Sequence, residues 1–264
     1  MDTRFWGPSG WKLLHSITFA YTPSKKKLFQ QLFETLPFVL PCKFCRASLT
    51  DYMKLFPLTP SLASKETLTR WLWNIHNQVN KKLREQRLLK DPDPPFEKVS
   101  TYYEEFLELG CSRVEFQGWD FLFSVAELHP LSKLSLTSIP INGYEKCKDI
   151  HTDIEKNRWN CLSPKRRLVY YTLFWKSLGP CLPFREWQQL WLKPKGLLRR
   201  KTTLEWLWKT RIRIEEGLKG LNRTKYSQLC KTLKQQRSNC AKSKNAKTCR
   251  KRRRNTLLQN RDGK

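Results

Sequence analysis

The sequence has no long hydrophobic run and no recognisable targeting segment. None of its 264 residues belong to an uninterrupted apolar stretch of the roughly 18 residues that a membrane-spanning helix needs. Residues 1–22 are partly apolar, but Arg4, Lys12 and His15 interrupt them and no small-residue cleavage site follows. A signal peptide has an unbroken apolar centre and such a cleavage site. We therefore expect neither a signal peptide nor a membrane span.

The cysteines do not form the pattern of a secreted disulfide scaffold. There are nine in a chain of 264 residues, and none precedes Cys42. Disulfide scaffolds are short chains that mature in an oxidising compartment, and in other chains cysteines more often serve redox or metal chemistry. The spacing of Cys230, Cys240 and Cys249 matches no zinc pattern. We expect no metal site.

Acidic residues are almost absent from the end of the chain. The formal net charge is +28, and residues 221–264 contain fifteen Lys and Arg against one acidic residue. Because this block is also poor in apolar side chains, we predict a disordered basic tail. Such a tail would bind nucleic acid without sequence preference, through the phosphates.

Tryptophan and helical periodicity are plentiful. Eleven Trp and 39% hydrophobic residues suffice for a core. Apolar residues recur at helical spacing and nothing suggests strands, so the predicted fold class is all-α. Five helices are predicted in the first part of the chain. The first starts at Pro8 and Ser9, the second covers residues 25–36 up to Pro37, and the third extends from Cys42 to Pro57. The fourth starts near Ser64, and the fifth covers residues 96–109.

Cys42 and Cys45 form a Cys-x-x-Cys pair at the predicted start of the third helix. At a helix N-terminus, the dipole and the free N–H groups stabilise a thiolate and lower its pKa. Taken alone, the pair is compatible with redox chemistry, with half of a zinc site, or with two buried thiols.

Four blocks in register decide between these interpretations. They are residues 6–15 (WGPSGWKLLH), residues 40–46 (LPCKFCR), residues 76–83 (HNQVNKKL) and residues 95–103, which include two tyrosines. Their order and rough spacing resemble the Erv/ALR family of FAD-linked sulfhydryl oxidases, most of all the versions of large DNA viruses. The resemblance implies a four-helix bundle with a short fifth helix over residues 1–115.

The resemblance also implies a function and roles for residues. Cys42 would be the exposed interchange thiol that accepts electrons from reduced protein dithiols. Cys45 would be the sulfur beside the flavin and would pass the electrons to it. The reduced flavin would then reduce molecular oxygen to hydrogen peroxide. The first helix and the His76 helix would bind FAD, with aromatic planes, amides and cations on adjacent faces. An isolated His76 would more simply be a hydrogen-bonded core histidine. The implied FAD-binding residues are Gly7, Trp11, His15, Val39, Trp73, His76, Asn77, Val79, Asn80, Lys82, Leu83, Tyr102 and Tyr103.

The chain differs from the cellular members of that family in two respects. They have a structural disulfide between the flavin-binding helix and the fifth helix, but neither Trp73 nor residues 96–98 offer the cysteines for it. We expect packing to replace that disulfide. The shuttle Cys-x-x-Cys that precedes the redox pair in the long cellular forms is absent as well. Either substrate thiols reach Cys42 directly, or a shuttle lies elsewhere, for example among the tail cysteines.

Residues 116–220 contain a faint internal repeat. Residues 118–126 resemble residues 10–18, residues 178–185 resemble residues 39–46, and residues 203–208 resemble residues 67–73 with one deletion. Either Trp-rich helices are similar by chance, or this helical domain is a degenerate second oxidase module. A degenerate module would take the place of a partner subunit, giving a monomer that mimics a dimer. The other possibility is a homodimer, as in many family members.

Two alternatives to the oxidase remain open. One is a basic nucleic-acid-binding virion protein on an inert oxidase-like fold, and the other is a zinc or scaffold protein. The resemblance to viral proteins predicts the host cytoplasm or the virion as location. The cysteines of the second domain, Cys147, Cys161 and Cys181, are predicted to be buried thiols or one disulfide plus a spare.

Overall fold

The computed structural model describes residues 1–141, 145–218 and 224–239, without the side chains of residues 146, 238 and 239. These residues form helices and no strand, which confirms the predicted all-α class. No helix within these ranges is long and apolar enough to cross a membrane. The rest of the chain, including Cys240 and Cys249, lies outside the described residues.

The first half of the chain forms a bundle of five longer helices and one short helix, α4. Its helices α1 and α5 pack together, α2 and α5 both pack on α3, and α6 lies against α1. Ser64 caps α5 with a reciprocal pair of hydrogen bonds to Thr67, which fixes the start of that helix as predicted. The helices are α1 (Thr3–Phe19), α2 (Lys26–Val39), α3 (Lys43–Leu55), α4 (Leu58–Ser61), α5 (Lys65–Glu85) and α6 (Phe96–Glu108).

Two predicted helix boundaries at prolines are wrong. Helix α1 begins at Thr3, because the Asp2 side chain accepts a hydrogen bond from the Arg4 N–H at 2.9 Å and caps the helix before the exposed Pro8. Helix α2 continues through the buried Pro37 to Val39. The last residues of α2 are buried in the core, so packing outweighs the backbone hydrogen bond that a proline cannot make.

The second half is helical as well. Its helices are α7 (Trp119–Glu127), α8 (Lys133–Leu136), α9 (Asp153–Arg158), α10 (Pro164–Cys181), α11 (Arg185–Leu190) and α12 (Arg200–Gly217). Cys147 and Cys161 form a disulfide with their Cα atoms 5.7 Å apart. Cys181 is a buried free thiol, and burial raises its pKa to about 12. One disulfide plus a spare is therefore the correct alternative.

The two halves pack through two pairs of helices. Helix α1 lies on α7, and α2 lies on α10, so that one hydrophobic core runs through both halves. A Cβ atom at Gly10 would lie 3.2 Å from the Phe121 ring, and one at Gly118 would lie 2.6 Å from Leu13. Gly10 thus packs against Phe121, three residues after Gly118, and Gly118 packs against Leu13, three residues after Gly10. Gly10 and Gly118 are counterparts in the predicted repeat. Reciprocal contacts of this kind are those of a two-fold symmetric interface.

The predicted disorder of residues 221–264 is wrong for part of the segment. Residues Tyr226–Asn239 form helix α13, which packs on α7. Leu229 and Leu233 lie one turn apart and are buried, and the Tyr226 ring is 5.1 Å from that of Trp208. The density of basic residues conceals this apolar stripe in the sequence.

Candidate active site

Cys42 and Cys45 lie at the N-terminal end of α3. Cys42 is the N-cap residue with extended backbone (φ −139°, ψ 123°), and its carbonyl accepts the Arg46 N–H at 2.9 Å. Cys45 follows in the first helical turn, and both side chains are half-buried against the core. The backbone therefore has the arrangement that the sequence predicts for a reactive thiol pair, at the positive end of a helix dipole.

A buried arginine adjoins the pair. Arg46 is 6% exposed, and its guanidinium donates to the Leu40 carbonyl at 3.2 Å and to the Asn160 side chain at 2.5 Å. Burial lowers the pKa of Arg46 to about 10, and the negative charges of Cys42 and Cys45 oppose that shift. The same attraction favours the thiolate form of both cysteines.

The second part of the site is a cluster of aromatic rings between α1, α5 and α6. Trp11 stacks on His76, with ring centroids 4.0 Å apart and 13° between the planes. His15 Nε2 and His76 Nδ1 are 3.2 Å apart and form a hydrogen bond. The Tyr103 ring stacks on His15, with ring centroids 5.2 Å apart. We call Trp11, His15, His76 and Tyr103 the ring cluster.

Both imidazoles of the ring cluster are neutral at physiological pH. Burial lowers the pKa of His15 to about 3, and repulsion by His76 contributes. Burial also lowers the pKa of His76 to about 4, although Asp93 acts in the opposite direction. The buried Nδ1 atom of His15 has no hydrogen-bond partner among the described residues. A buried polar atom in this state calls for a partner that the protein itself does not provide.

The ring cluster and the redox pair are joined through α3 and α5. Lys82 on α5 donates a hydrogen bond to Ser48 on α3 at 2.7 Å. Ser48 lies one turn after Cys45, on the same helix. Ser48 was not predicted, since an isolated serine carries no signal in the sequence. The contact places a lysine predicted to bind the cofactor next to the helix that carries the thiols.

The link between α5 and α6 is made by packing, as predicted from the missing cysteines. The Trp73 indole donates to the Pro94 carbonyl at 3.1 Å and meets the Phe96 ring edge-on at 6.0 Å. Asp93 accepts from the Asn80 amide at 2.8 Å and from the Arg84 guanidinium at 2.5 Å. Arg84 holds the pKa of the Asp93 carboxyl below its usual value. Asp93 was not predicted, because its role depends on the fold of the loop that carries it.

The remaining predicted site residues lie around these groups. Val39 is buried at the end of α2, and Gly7 is on α1 with open space beside its Cα. Tyr102 is 48% exposed, and its ring meets that of Tyr103 edge-on at 4.9 Å. The other three are half-buried on α5: Asn77, Val79 and Leu83.

Comparison with known proteins covers this same half of the chain. Residues 8–102, from α1 into α6, match the model of the Erv1 / Alr family. An FAD-linked sulfhydryl oxidase of African swine fever virus is 36% identical over 85 residues, which are 31% of this chain and 70% of the viral protein. This chain belongs to the Erv1 / Alr family. The family resemblance seen in the sequence is thereby confirmed.

Two other relatives match over similar lengths of this chain and are longer than the match. A probable FAD-linked sulfhydryl oxidase of Acanthamoeba polyphaga mimivirus is 35% identical over 30% of this chain and 59% of its own length. The mitochondrial FAD-linked sulfhydryl oxidase of Saccharomyces cerevisiae is 33% identical over 33% of this chain and 47% of its own length. This chain thus spans about half of these two relatives. No solved structure matches it.

A metal site finds no support in the described ranges, where no group of three or more His, Cys, Asp or Glu side chains is suited to hold an ion. Of the groups that can react, the described residues place two thiols beside a buried guanidinium on α3, and a ring cluster with neutral imidazoles on the neighbouring helix α5 and on α1 and α6. Such a site can exchange disulfides and can hold a planar aromatic cofactor.

Proposed function

We propose that this chain is an FAD-linked sulfhydryl oxidase that forms disulfide bonds in protein substrates. The observation that carries the proposal is the connection of two sites by one helix pair. Cys42 and Cys45 start α3, the ring cluster lies on α1, α5 and α6, and the contact between Lys82 and Ser48 joins α5 to α3. The relatives that match this region are named FAD-linked sulfhydryl oxidases.

The residues of the ring cluster suit a flavin. The unpartnered Nδ1 atom of His15 is buried, and a ring nitrogen or oxygen of the cofactor would satisfy it. Trp11 and His76 offer flat faces, and Asn77 and Asn80 offer amides for the edge of the ring system. The pyrophosphate would be held by a cation of α5, of which the half-buried Lys82 is the candidate. When bound, FAD accepts two electrons from the thiols and transfers them to oxygen, which yields hydrogen peroxide.

Cys42 and Cys45 would carry out the exchange with substrate. A substrate thiolate attacks Cys42 Sγ of the Cys42–Cys45 disulfide, and Cys45 leaves as a thiolate. The second substrate thiol loses its proton and attacks its partner sulfur, which releases the Cys42 thiolate and leaves a substrate disulfide. The substrate is oxidised by two electrons and the pair is reduced by two. Arg46 favours both thiolates, and the N-terminus of α3 favours that of Cys42.

We also propose that residues 116–218 are a degenerate copy of the first half. The reciprocal contacts of Gly10 and Gly118 support this proposal, as does the packing of α1 on α7 and of α2 on α10. The copy lacks the site, since Phe123 stands where His15 does and its ring lies 6.4 Å from that of Trp208. The degenerate copy would occupy the place of a partner subunit. Sedimentation should then show a monomer, and a stable dimer would contradict the proposal.

Basic residues beyond α13 support a second, independent role. Residues 240–264 contain ten Lys and Arg and one acidic residue. We propose that they bind nucleic acid non-specifically, with a steep dependence on salt. The oxidase would act in the host cytoplasm or the virion, where this charge meets viral nucleic acid.

Purification of the full chain tests the oxidase proposal. We expect a yellow protein with about one flavin per chain that consumes oxygen in the presence of dithiothreitol. A colourless protein that binds no added FAD would instead favour the nucleic-acid-binding alternative on an inert fold.

A further inference from the structure

The side chain of Arg46 runs back along the first turn of α3. It starts one residue after Cys45 and ends at the Leu40 carbonyl, two residues before Cys42. The Arg46 side chain therefore runs alongside the first turn of α3, at which both cysteines lie. With 6% exposure, it is withdrawn from water.

Arg46 has no carboxylate partner in the described part of the chain. Its guanidinium donates hydrogen bonds to a carbonyl and to an amide oxygen, both neutral, and its Nε atom is buried without a hydrogen-bond partner among the described residues. A second buried cation, Arg167 on α10, adds to the positive charge, and its pKa is lowered to about 9 by burial and by Arg46. A buried charge without a counter-ion is costly. The anions that act on Arg46 are Cys42 and Cys45.

The second half of the chain holds this guanidinium in place. Asn160 follows α9 in a left-handed conformation (φ 60°), and its Oδ1 atom accepts the Arg46 Nη2 donor. The Asn160 amide donates to the Ile139 carbonyl at 2.8 Å, which also accepts from Lys43 at 2.7 Å. Residues 43 and 46, between and after the two cysteines, are thus both tied to the segment from 139 to 160.

We propose that Arg46, positioned by Asn160, is the fixed counter-cation of the Cys42 and Cys45 thiolates and makes their disulfide more oxidising. Two-electron reduction of the disulfide creates two thiolates, and a cation that stabilises them raises the reduction potential of the pair. This inference rests on the proposed function, because it concerns the same redox pair. It gives the second half a role in the chemistry beyond packing.

Other charged or titratable groups around Cys42 and Cys45 also influence how the reactivity of the two thiols depends on pH. Lys43 lies on α3 between the cysteines, and Lys82 reaches α3 from α5 through Ser48. Tyr52 lies on α3, and burial raises its pKa. Arg167 lies on α10 and repels the charge of Arg46. A change at Arg46 or Asn160 leaves all of these in place.

The test measures the thiols themselves in the full-length protein. The chain is reduced under argon, and the rates of alkylation of Cys42 and Cys45 by iodoacetamide are followed against pH by mass spectrometry. Trypsin cleaves at Lys43 and separates the two cysteines. A second measurement determines the equilibrium of the pair with glutathione. The variants are Arg46→Lys, Arg46→Met and Asn160→Asp.

We expect Arg46→Met to slow alkylation at pH 7 about tenfold, since a neighbouring cation is worth about one pKa unit or more. The glutathione equilibrium should move about tenfold towards the disulfide, which corresponds to about 30 mV. Arg46→Lys should restore most of the loss. Asn160→Asp should reproduce Arg46→Met, because a carboxylate at the guanidinium neutralises its field, and Asp tolerates the left-handed backbone.

Arg158→Gln is the matched control. Arg158 also joins α9 to α3, through Asp51 at 2.5 Å, but it makes no described contact with the cysteines. Its loss should leave both thiol measurements unchanged. Unchanged alkylation and an unchanged equilibrium in folded Arg46→Met would overturn the inference, as would an equal effect of Arg158→Gln. Neither measurement needs turnover, so a thiol shift in a protein without oxidase activity would refute the proposed function alone.

Discussion

Trp11 and His76 stack face to face, with their ring centroids 4.0 Å apart, and so join α1 to α5. The contact brings together two blocks that are 65 residues apart in the sequence. It also fixes the imidazole that is hydrogen-bonded to His15. The surface that these rings form is the part of the site to which we assign the flavin.

The neutral histidines predict a stability that falls in acid. The folded pKa values of about 3 for His15 and about 4 for His76 lie below the unfolded value. The unfolded chain therefore binds more protons, and the stability that is full above pH 6.5 declines as the pH falls towards 4. Each group should contribute about 2 kcal/mol of loss at pH 5.

Urea unfolding at pH 7 and pH 5 measures this loss. His15→Phe, which copies Phe123 of the second half, should show a smaller difference between the two pH values than the unchanged protein does. An equal difference in both proteins would show that His15 is not held neutral by burial.

Loss of His76 should weaken cofactor retention. We expect His76→Ala to release FAD at least about tenfold more readily, and the stabilisation by bound FAD to fall by about 1.4 kcal/mol. Equilibrium dialysis and melting with and without added FAD measure both effects. The control is His129→Ala, because His129 is also buried but lies in the second half, where it bonds to the Leu197 carbonyl. FAD loss of the same size in both variants would show that His76 is not a specific contact of the flavin.

The packing that replaces a disulfide between α5 and α6 can be measured. Phe96 is 8% exposed, meets Trp73 edge-on and lies under the Arg70 guanidinium at 4.1 Å. Phe96→Ala should cost about 3 kcal/mol of unfolding free energy. Leu88→Ala, at a more exposed position in the same region, should cost less than about 0.5 kcal/mol. Similar losses for the two variants would show that Phe96 does not secure α6.

The redox pair and the ring cluster could be predicted from the sequence because their signals are local. The cysteine spacing and the proline before Cys42 lie at the start of α3, and the periodicity of residues 64–83 lies along α5. The family resemblance then indicated that α1 and α5 bind the same cofactor and therefore lie next to each other. The boundaries at Pro8 and Pro37 were wrong because an early cap and a buried helix end outweigh the preference of proline.

Contacts between the halves could not be predicted. Arg46 and Asn160 are 114 residues apart, and neither side chain has a pattern that indicates the other. Asp93 and Ser48 acquire their roles only when the loop and the helices are assembled. Helix α13 was missed because fifteen basic residues in the segment conceal Leu229 and Leu233, which need the surface of α7 to be buried.

Two truncations separate α13 from the basic residues beyond it. Removal of residues 240–264 should leave the fold and the oxidation of dithiothreitol unchanged but abolish non-specific nucleic-acid binding. Removal of residues 219–264 also deletes α13, so that the surface of α7 covered by Leu229 and Leu233 becomes exposed. It also removes the ion pair of Arg237 with Glu127 at 2.9 Å. Burial of two leucines predicts a further loss of about 3–6 kcal/mol.

Melting temperature, salt-dependent DNA binding and turnover of a reduced protein distinguish the outcomes. DNA binding that survives removal of residues 240–264 would contradict the electrostatic role of the tail. A selective loss of activity on the protein substrate would instead make the tail cysteines a shuttle. The triple Cys→Ser variant at Cys230, Cys240 and Cys249 should then reproduce that loss.

The most direct test of the central claim is an anaerobic titration of the purified full-length protein with dithiothreitol. In the unchanged protein, the flavin absorbance should bleach as the flavin takes up two electrons, after two others have reduced the Cys42–Cys45 disulfide, and it should return with peroxide when oxygen is admitted. Cys45→Ser and Cys42→Ser should keep the flavin but fail to bleach it at a comparable rate. Rapid bleaching in either variant, or a preparation that holds no flavin, would contradict the account.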